Sequence, residues 1–352
     1  MTKCLVTKLN GSVDNNDLLR IGEMRIKVES VESPTKDTQG FRLGFIKPTT
    51  VEIVGNGYFT DKTLTENKGK SMTFSSSDDI IVSQATTVAI RDKYNLKEFA
   101  VYIAGGTPYG ENKVFKIDDL KYSYGLSLLN ASKMQVCGDI ANLKNLTALA
   151  VLYLTNTQVS GDIANLKNLT ALTILVLSNT QVSGDIANLK NLTALTILVL
   201  SNTQVSGDIA NLKNLTALTT LKLSNTQVSG DIANIYFVFS GNTKEMDIGY
   251  CNNLSGDLAS VPDNILFFNN YRGNSKFTWK KGSTRTNVLA CTNIHCDKID
   301  DMLNDMANMT ASFIDDEVYK KTIQLIGPRT SASDAAVQTL QSKGYTVSVS
   351  PA

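Results

Sequence analysis

The sequence predicts a mixed α/β protein with a β-rich N-terminus. Its middle is a solenoid of stacked coils carrying parallel strands on a concave face, with a small β domain before it and an α/β cap after it. Three observations carry this. The 23 residues Val159–Gln181, VSGDIANLKNLTALTILVLSNTQ, recur without change from Val182 to Gln204, a third copy starts at Val205, and a diverged copy precedes them at Val136. Leu172, Leu175 and Leu177 are spaced as one buried face of a short strand requires. No proline lies between Pro108 and Pro262, so nothing interrupts the stack.

The elements follow in chain order. Residues 1–24 are polar and read as an extended arm. Residues 25–95 form the small β domain. There Met24–Val31, Gly40–Ile46, Thr50–Ile53, Ser71–Phe74 and Ile80–Ser83 alternate or carry β-branched residues between Gly, Pro, Asn and Asp clusters, which predicts an antiparallel sandwich. The solenoid occupies 96–280. Leu96-x-x-Phe99-x-Val101 is an irregular first coil, Leu126-x-x-Leu129-x-Ala131 the next, and Met246-x-Ile248 with Gly256-Asp257-Leu258 a later, stretched one. Residues 281–352 are the cap. Strands are expected at Val288–Ala290, Thr322–Ile326 and Tyr345–Val349. One helix buries Ile299, Met302, Leu303 and Met306; a second, from about Ser333 to Lys343, buries Ala336, Val337 and Leu340 and stops at Gly344. Together these give roughly eleven strand-bearing coils.

The repeat has a physical rationale. A lone coil cannot bury its ring of leucines, and stacking at the ~4.8 Å strand spacing closes the core. The pattern LxxLxLxxTxVxGDIxxLxxLxx resembles the leucine-rich repeat family, of a bacterial or phage type. The usual Asn after the strand is replaced by Thr157, Thr180, Thr203 and Thr226, whose hydroxyls make a weaker local bond to the backbone. Asp162, Asp185 and Asp208 each precede an apolar Ile-x-x-Leu-x-x-Leu segment and read as caps of a short convex helix or 3₁₀ turn. The segments CLVTKLNG, GNGYFTDKTLTENKGK and GPRTSASDAAVQTLQSKGYTVSV add a likeness to repeat proteins of gut anaerobes and their phages. That resemblance implies a surface-exposed or virion-associated protein.

Composition narrows the chemistry. With 34 basic and 33 acidic residues the net charge of +1 gives no field for nucleic acid, and no apolar run reaches the length of a membrane span. The opening residues lack the apolar core of a secretory signal, which leaves a non-classical route to the surface or, failing that, the cytoplasm. The Asn-x-Ser/Thr sequons, such as Asn145-Leu146-Thr147, are then by-products of the repeat. Five cysteines in so long a chain make no disulfide framework. Cys291, His295 and Cys296 form the one constellation with a reactive or metal-like look, yet zinc sites need a fourth ligand and a familiar spacing. They read as structural. The column Lys144, Lys167, Lys190 and Lys213 reads as a solvated edge. No catalytic residue, metal or cofactor is expected.

The copies indicate where recognition sits. Copies starting at Val136 and Val159 differ at Cys137/Ser160, Ala150/Thr173, Val151/Ile174, Tyr153/Val176 and Thr155/Ser178; copies starting at Val182 and Val205 differ at Ile197/Thr220 and Val199/Lys222. Six of these seven changes fall on or beside the strand, while the equally polar segment ANLKNLT is constant. The expected ligand face is therefore Val151, Tyr153, Ile174, Val176, Ile197, Val199, Thr220 and Lys222. It is an apolar stripe bordered by Ser178, Ser201, Asn179 and Asn202 and interrupted by Thr220 and Lys222. A contiguous exposed apolar area marks an interface. The partner is a protein ligand, with a glycan disfavoured because few aromatics are available for stacking. The alternative is a structural or decorative virion component whose concave face is buried in a homo-oligomer or a larger assembly.

Overall fold

The computed structural model describes residues 24–28, 39–54, 59–60, 67–69, 71–74, 78–82, 86–90, 96–103, 113–237, 244–261, 263, 265–269, 276–310 and 321–351. CLVTKLNG, the arm up to residue 23 and most of GNGYFTDKTLTENKGK lie outside these. The chain divides into two compact units, residues 1–182 and 183–352.

The first unit opens with antiparallel strands, as the alternation predicts, at shifted boundaries: Met24–Val28, Gln39–Phe45, Thr49–Val54, Ser71–Phe74 and Asp78–Val82. Phe59–Thr60, Asn67–Gly69 and Thr86–Ile90 are further strands with no clear alternation to reveal them. Pairing sorts the strands into two groups. Met24–Val28, Thr86–Ile90, Thr49–Val54 and Ser71–Phe74 form one, and Leu96–Ile103, Gln39–Phe45, Asp78–Val82 and Phe59–Thr60 the other. Phe45 from the second group and Phe74 from the first meet with ring centroids 5.7 Å apart, and Leu43, Val51 and Phe99 are buried beside them. Two layers closed over aromatic residues make a sandwich.

Each layer runs on into a parallel sheet. Leu96–Ile103 pairs in parallel with Leu128–Asn130, which pairs with Val151–Tyr153, which pairs with Ile174–Val176. The other layer continues through Lys113–Lys116 into Gln135–Asp139 and Gln158–Asp162. This second parallel sheet is absent from the sequence expectation. Its segments, Gln-Val-Ser-Gly-Asp in the regular copies, bury one valine each (Val159, for example), too little alternation to announce a strand.

The second unit repeats the plan. Ile197–Val199, Thr220–Lys222, Lys244–Asp247, Ile265–Asn269 and Ala290–Cys296 pair in parallel in this unit's own first sheet. Gln204–Asp208, Gln227–Asp231, Asn253–Asp257 and Lys276–Thr278 do so in the second. The two sheets meet at Ala290–Cys296, whose N-terminal half bonds the first sheet while His295 and Cys296 pair with Lys276 and Phe277 of the second. The expected strand Val288–Ala290 therefore begins at Ala290 and runs further. Thr322–Ile326 and Thr346–Ser350 extend the ladder, with helix α1 (Ile299–Ala307) and helix α2 (Asp334–Ser342) between. Ile299, Met302, Leu303 and Met306 are buried on α1 and Ala336 and Leu340 on α2. Val337 is half-exposed, against expectation. Gly344 ends α2 with φ of +91°.

The capping aspartates behave as their position predicts. Asp162 accepts a hydrogen bond from the Ala164 amide at 2.7 Å, and Asp185 and Asp208 from Ala187 and Ala210 at 2.8 Å each. Each thereby satisfies an amide at the start of a 3₁₀ turn. The threonines that replace the usual Asn donate to the carbonyl three residues back: Thr180 to Leu177 at 2.7 Å and Thr203 to Leu200 at 2.6 Å. The residue before each threonine performs the turn itself. Asn156, Asn179, Asn202 and Asn225 sit at φ of 55–57°, a left-handed conformation that Asn tolerates.

Candidate functional site

Alternation along the first sheet separates core from surface. In the first unit Leu152 and Leu175 are fully buried, while Val151, Tyr153, Ile174 and Val176 are half-exposed on the opposite side. Register stacks them in two columns, Leu128–Val151–Ile174 and Asn130–Tyr153–Val176. In the second unit Leu198 and Leu221 are buried, and Ile197, Val199, Thr220 and Lys222 are half-exposed. Their columns are Ile197–Thr220–Glu245 and Val199–Lys222–Asp247, turning from apolar to charged.

All eight expected side chains thus face outward in their own units. The columns also add Leu128, Asn130 and Asp247, which are half-exposed. These were missed because the coils that hold them depart from the 23-residue pattern.

The border of the stripe needs one correction. Ser178 is 8% exposed and does not border an open surface. At the matching position Ser224 donates to Ser201 across coils at 2.9 Å, and the Asn225 side chain donates to Asn202 at 2.8 Å. These columns serve the stack. Thr173, another variable residue, donates to the carbonyl of Ala150 in the preceding coil at 3.0 Å, which is also a structural use.

A 23-residue period, inward leucines and in-register parallel strands joined by capped turns leave one assignment. This is a leucine-rich repeat fold.

No protein-family model and no curated protein matches the chain. Among solved structures, internalin C2 of Listeria monocytogenes is similar, with 29% identity over 35% of this chain and 54% of that one, at a TM-score of 0.31. The PEPR1–AtPEP1 structure shows 20% identity over 66% and 30%, at 0.42. The GASSHO1/SCHENGEN3 ectodomain of Arabidopsis thaliana, a leucine-rich repeat receptor kinase in complex with CASPARIAN STRIP INTEGRITY FACTOR 2, shows 16% over 66% and 30%, at 0.41. The chain spans about half, or less, of the length of these proteins.

The cysteine–histidine cluster of this leucine-rich repeat chain is held apart by strand geometry. Cys291, Ile294 and Cys296 are buried, whereas His295, between the last two, is half-exposed on the other side. A register shift between Cys291 and Ile294, with Asn293 at φ of +54°, sets this alternation. Burial pushes the Cys291 thiol up to about 12, with the nearby Cys296 acting in the same direction; burial likewise pushes Cys296 up to about 11. Thiolate is the reactive form, so both are inert near neutrality. Iodoacetamide at pH 8 is expected to leave both unlabelled in the native protein and to label both in urea, as peptide mass mapping would read. Native labelling of either would contradict this packing. Lys144, Lys167, Lys190 and Lys213 are exposed, each at the end of a 3₁₀ turn.

Proposed function

We propose that this chain is a non-catalytic recognition protein of the adhesion or receptor-binding kind, which holds a partner protein against the outward side chains of the first sheet. The observation that carries the reading is the coincidence of exposure with variation. The copies are near-identical except on and beside these strands, and Val151, Tyr153, Ile174 and Val176 in one unit and Ile197 and Val199 in the other place apolar side chains in water. A strand chosen for propensity alone would tolerate the same residues, but gives no reason for four of the seven changes (Val151/Ile174, Tyr153/Val176, Ile197/Thr220 and Val199/Lys222) to fall on outward positions. The finer placing, on a virion or bacterial surface, is supported by the likeness of the chain ends noted above.

Val176→Lys with Val199→Lys is the test. Both side chains are half-exposed, so the thermal midpoint is expected to move by no more than about 2–4 °C. Parallel arrays of purified surface proteins and of glycans would be probed with wild type and variant. The reading expects retention on protein spots by wild type and none by the variant; equal retention by both overturns it. The alternative, a structural component with this face buried by self-association, draws on the same apolar residues. It predicts that light scattering of the wild type shows an oligomer that the double variant abolishes.

A further inference from the structure

The last strand, Thr346–Ser350, pairs in parallel with Thr322–Ile326, and among the described residues no strand pairs with its other edge. Thr346 donates its amide to Lys321 at 2.6 Å, and the Ser350 carbonyl accepts from Gly327 at 2.9 Å. Residues 346, 348 and 350 therefore turn their backbone groups toward the preceding strand, and strand alternation turns the N–H and C=O of Val347 and Val349 to the open edge.

The side chains there are also more exposed than those of the preceding strand. Ile323 and Leu325, their register partners one coil earlier, are at most 1% exposed, whereas Val347 and Val349 are half-exposed. With Val337, Pro328, Arg329 and Pro351 they line an open groove of about 550 Å³. It continues the coil-on-coil interface of this unit.

We propose that a second copy of this chain closes this edge, by antiparallel pairing of Thr346–Ser350 with itself about a two-fold axis through Ser348. The segment Thr-Val-Ser-Val-Ser reads almost the same in both directions, as an isologous strand pair requires. With the axis at Ser348, Val347 of one copy faces Val349 of the other, twice over. These are the residues with open backbone groups, so each pair exchanges both of its N–H···O bonds and four bonds form. The valines of both copies then lie on one face, beside Val337. The strand carries no charge or proline to discourage such pairing; Pro351 ends it, having no amide to donate.

The register gives a sharp test. Across the axis, Ser348 opposes itself as a non-hydrogen-bonded pair with Cα atoms ~4.5 Å apart, within disulfide range. Thr346 lies four residues from its own symmetry mate, roughly 13 Å. In the full chain with Cys4 and Cys137 replaced by Ser, mild oxidation of Ser348→Cys is expected to give a species of twice 38.2 kDa on a non-reducing gel. Thr346→Cys should remain a single chain. By sedimentation, the wild type should be a dimer at high micromolar concentration and Val349→Lys a monomer with an unchanged melting temperature. Val176→Lys with Val199→Lys should leave this dimer intact, which separates it from the outward strand face. A wild type that sediments as a single chain throughout, or equal cross-linking of the two cysteine variants, overturns the proposal.

Discussion

Gly207→Ala is expected to destabilise the second unit by about 2–4 kcal/mol, read as a lower urea midpoint at an unchanged slope. Gly207 sits at φ of +107°, a conformation L side chains rarely adopt. A Cβ placed there would overlap the Asp185 carboxylate of the preceding coil, lying 2.8 Å from its Cγ and 3.3 Å from Ile186 Cγ1. Asp185 cannot swing away freely, because its Oδ1 caps the Ala187 amide at 2.8 Å. Backbone strain, a steric clash and a weakened cap therefore add at one atom. Gly282 separates these causes: it has φ of +78° and nothing within 4 Å of the added Cβ. Gly282→Ala should show the strain alone, about 1–2 kcal/mol. Equal losses at the two sites would show that the approach of the coils at Gly207 is immaterial.

Leu198→Ala should cost about 2–5 kcal/mol, and Val199→Ala, its neighbour on the same strand, under about 1 kcal/mol. Leu198 is fully buried and stands in register with Leu221 of the next coil. Truncation leaves a cavity between coils whose backbones are tied by the ladder and cannot collapse into it. Since stability in a solenoid accrues through neighbouring coils, the damage falls on the interface with the Leu221 coil. Val199 points the other way and is half-exposed, so little packing is lost. Urea unfolding of both variants decides the matter. A Val199→Ala loss as large as that of Leu198→Ala would mean that the outward face is packed in the isolated chain, and the recognition reading would fall with it.

What could be read in advance follows from which signals are local. The inward leucines, the Asp caps and the apolar face of α1 each repeat at a spacing that fixes a direction relative to the backbone, and each stands where that spacing puts it. The Gln-Val-Ser-Gly-Asp strands could not be read so, because a single buried valine beside a glycine of positive φ has no period. Ser178 was misplaced for a related reason. Its position counts as outward by alternation from Leu175 and Leu177, but the chain turns at Asn179, φ of +57°, and the alternation ends there. The outward columns were legible in the exact copies and not at Leu128, Asn130 and Asp247, where only the strand register identifies the neighbours.

The sequence by itself determined the coil: its length, its buried ring and the face left to water, since period-2 alternation and a leucine-sized apolar residue need no distant partner to be interpreted. Only the tertiary structure decided that a second parallel sheet runs beside the first, that both grow out of the layers of a β sandwich, and that Cys291 and His295 point apart. Those outcomes depend on pairings between residues about 20 or more positions apart, and a backbone amide carries no mark in the sequence of the carbonyl it will meet.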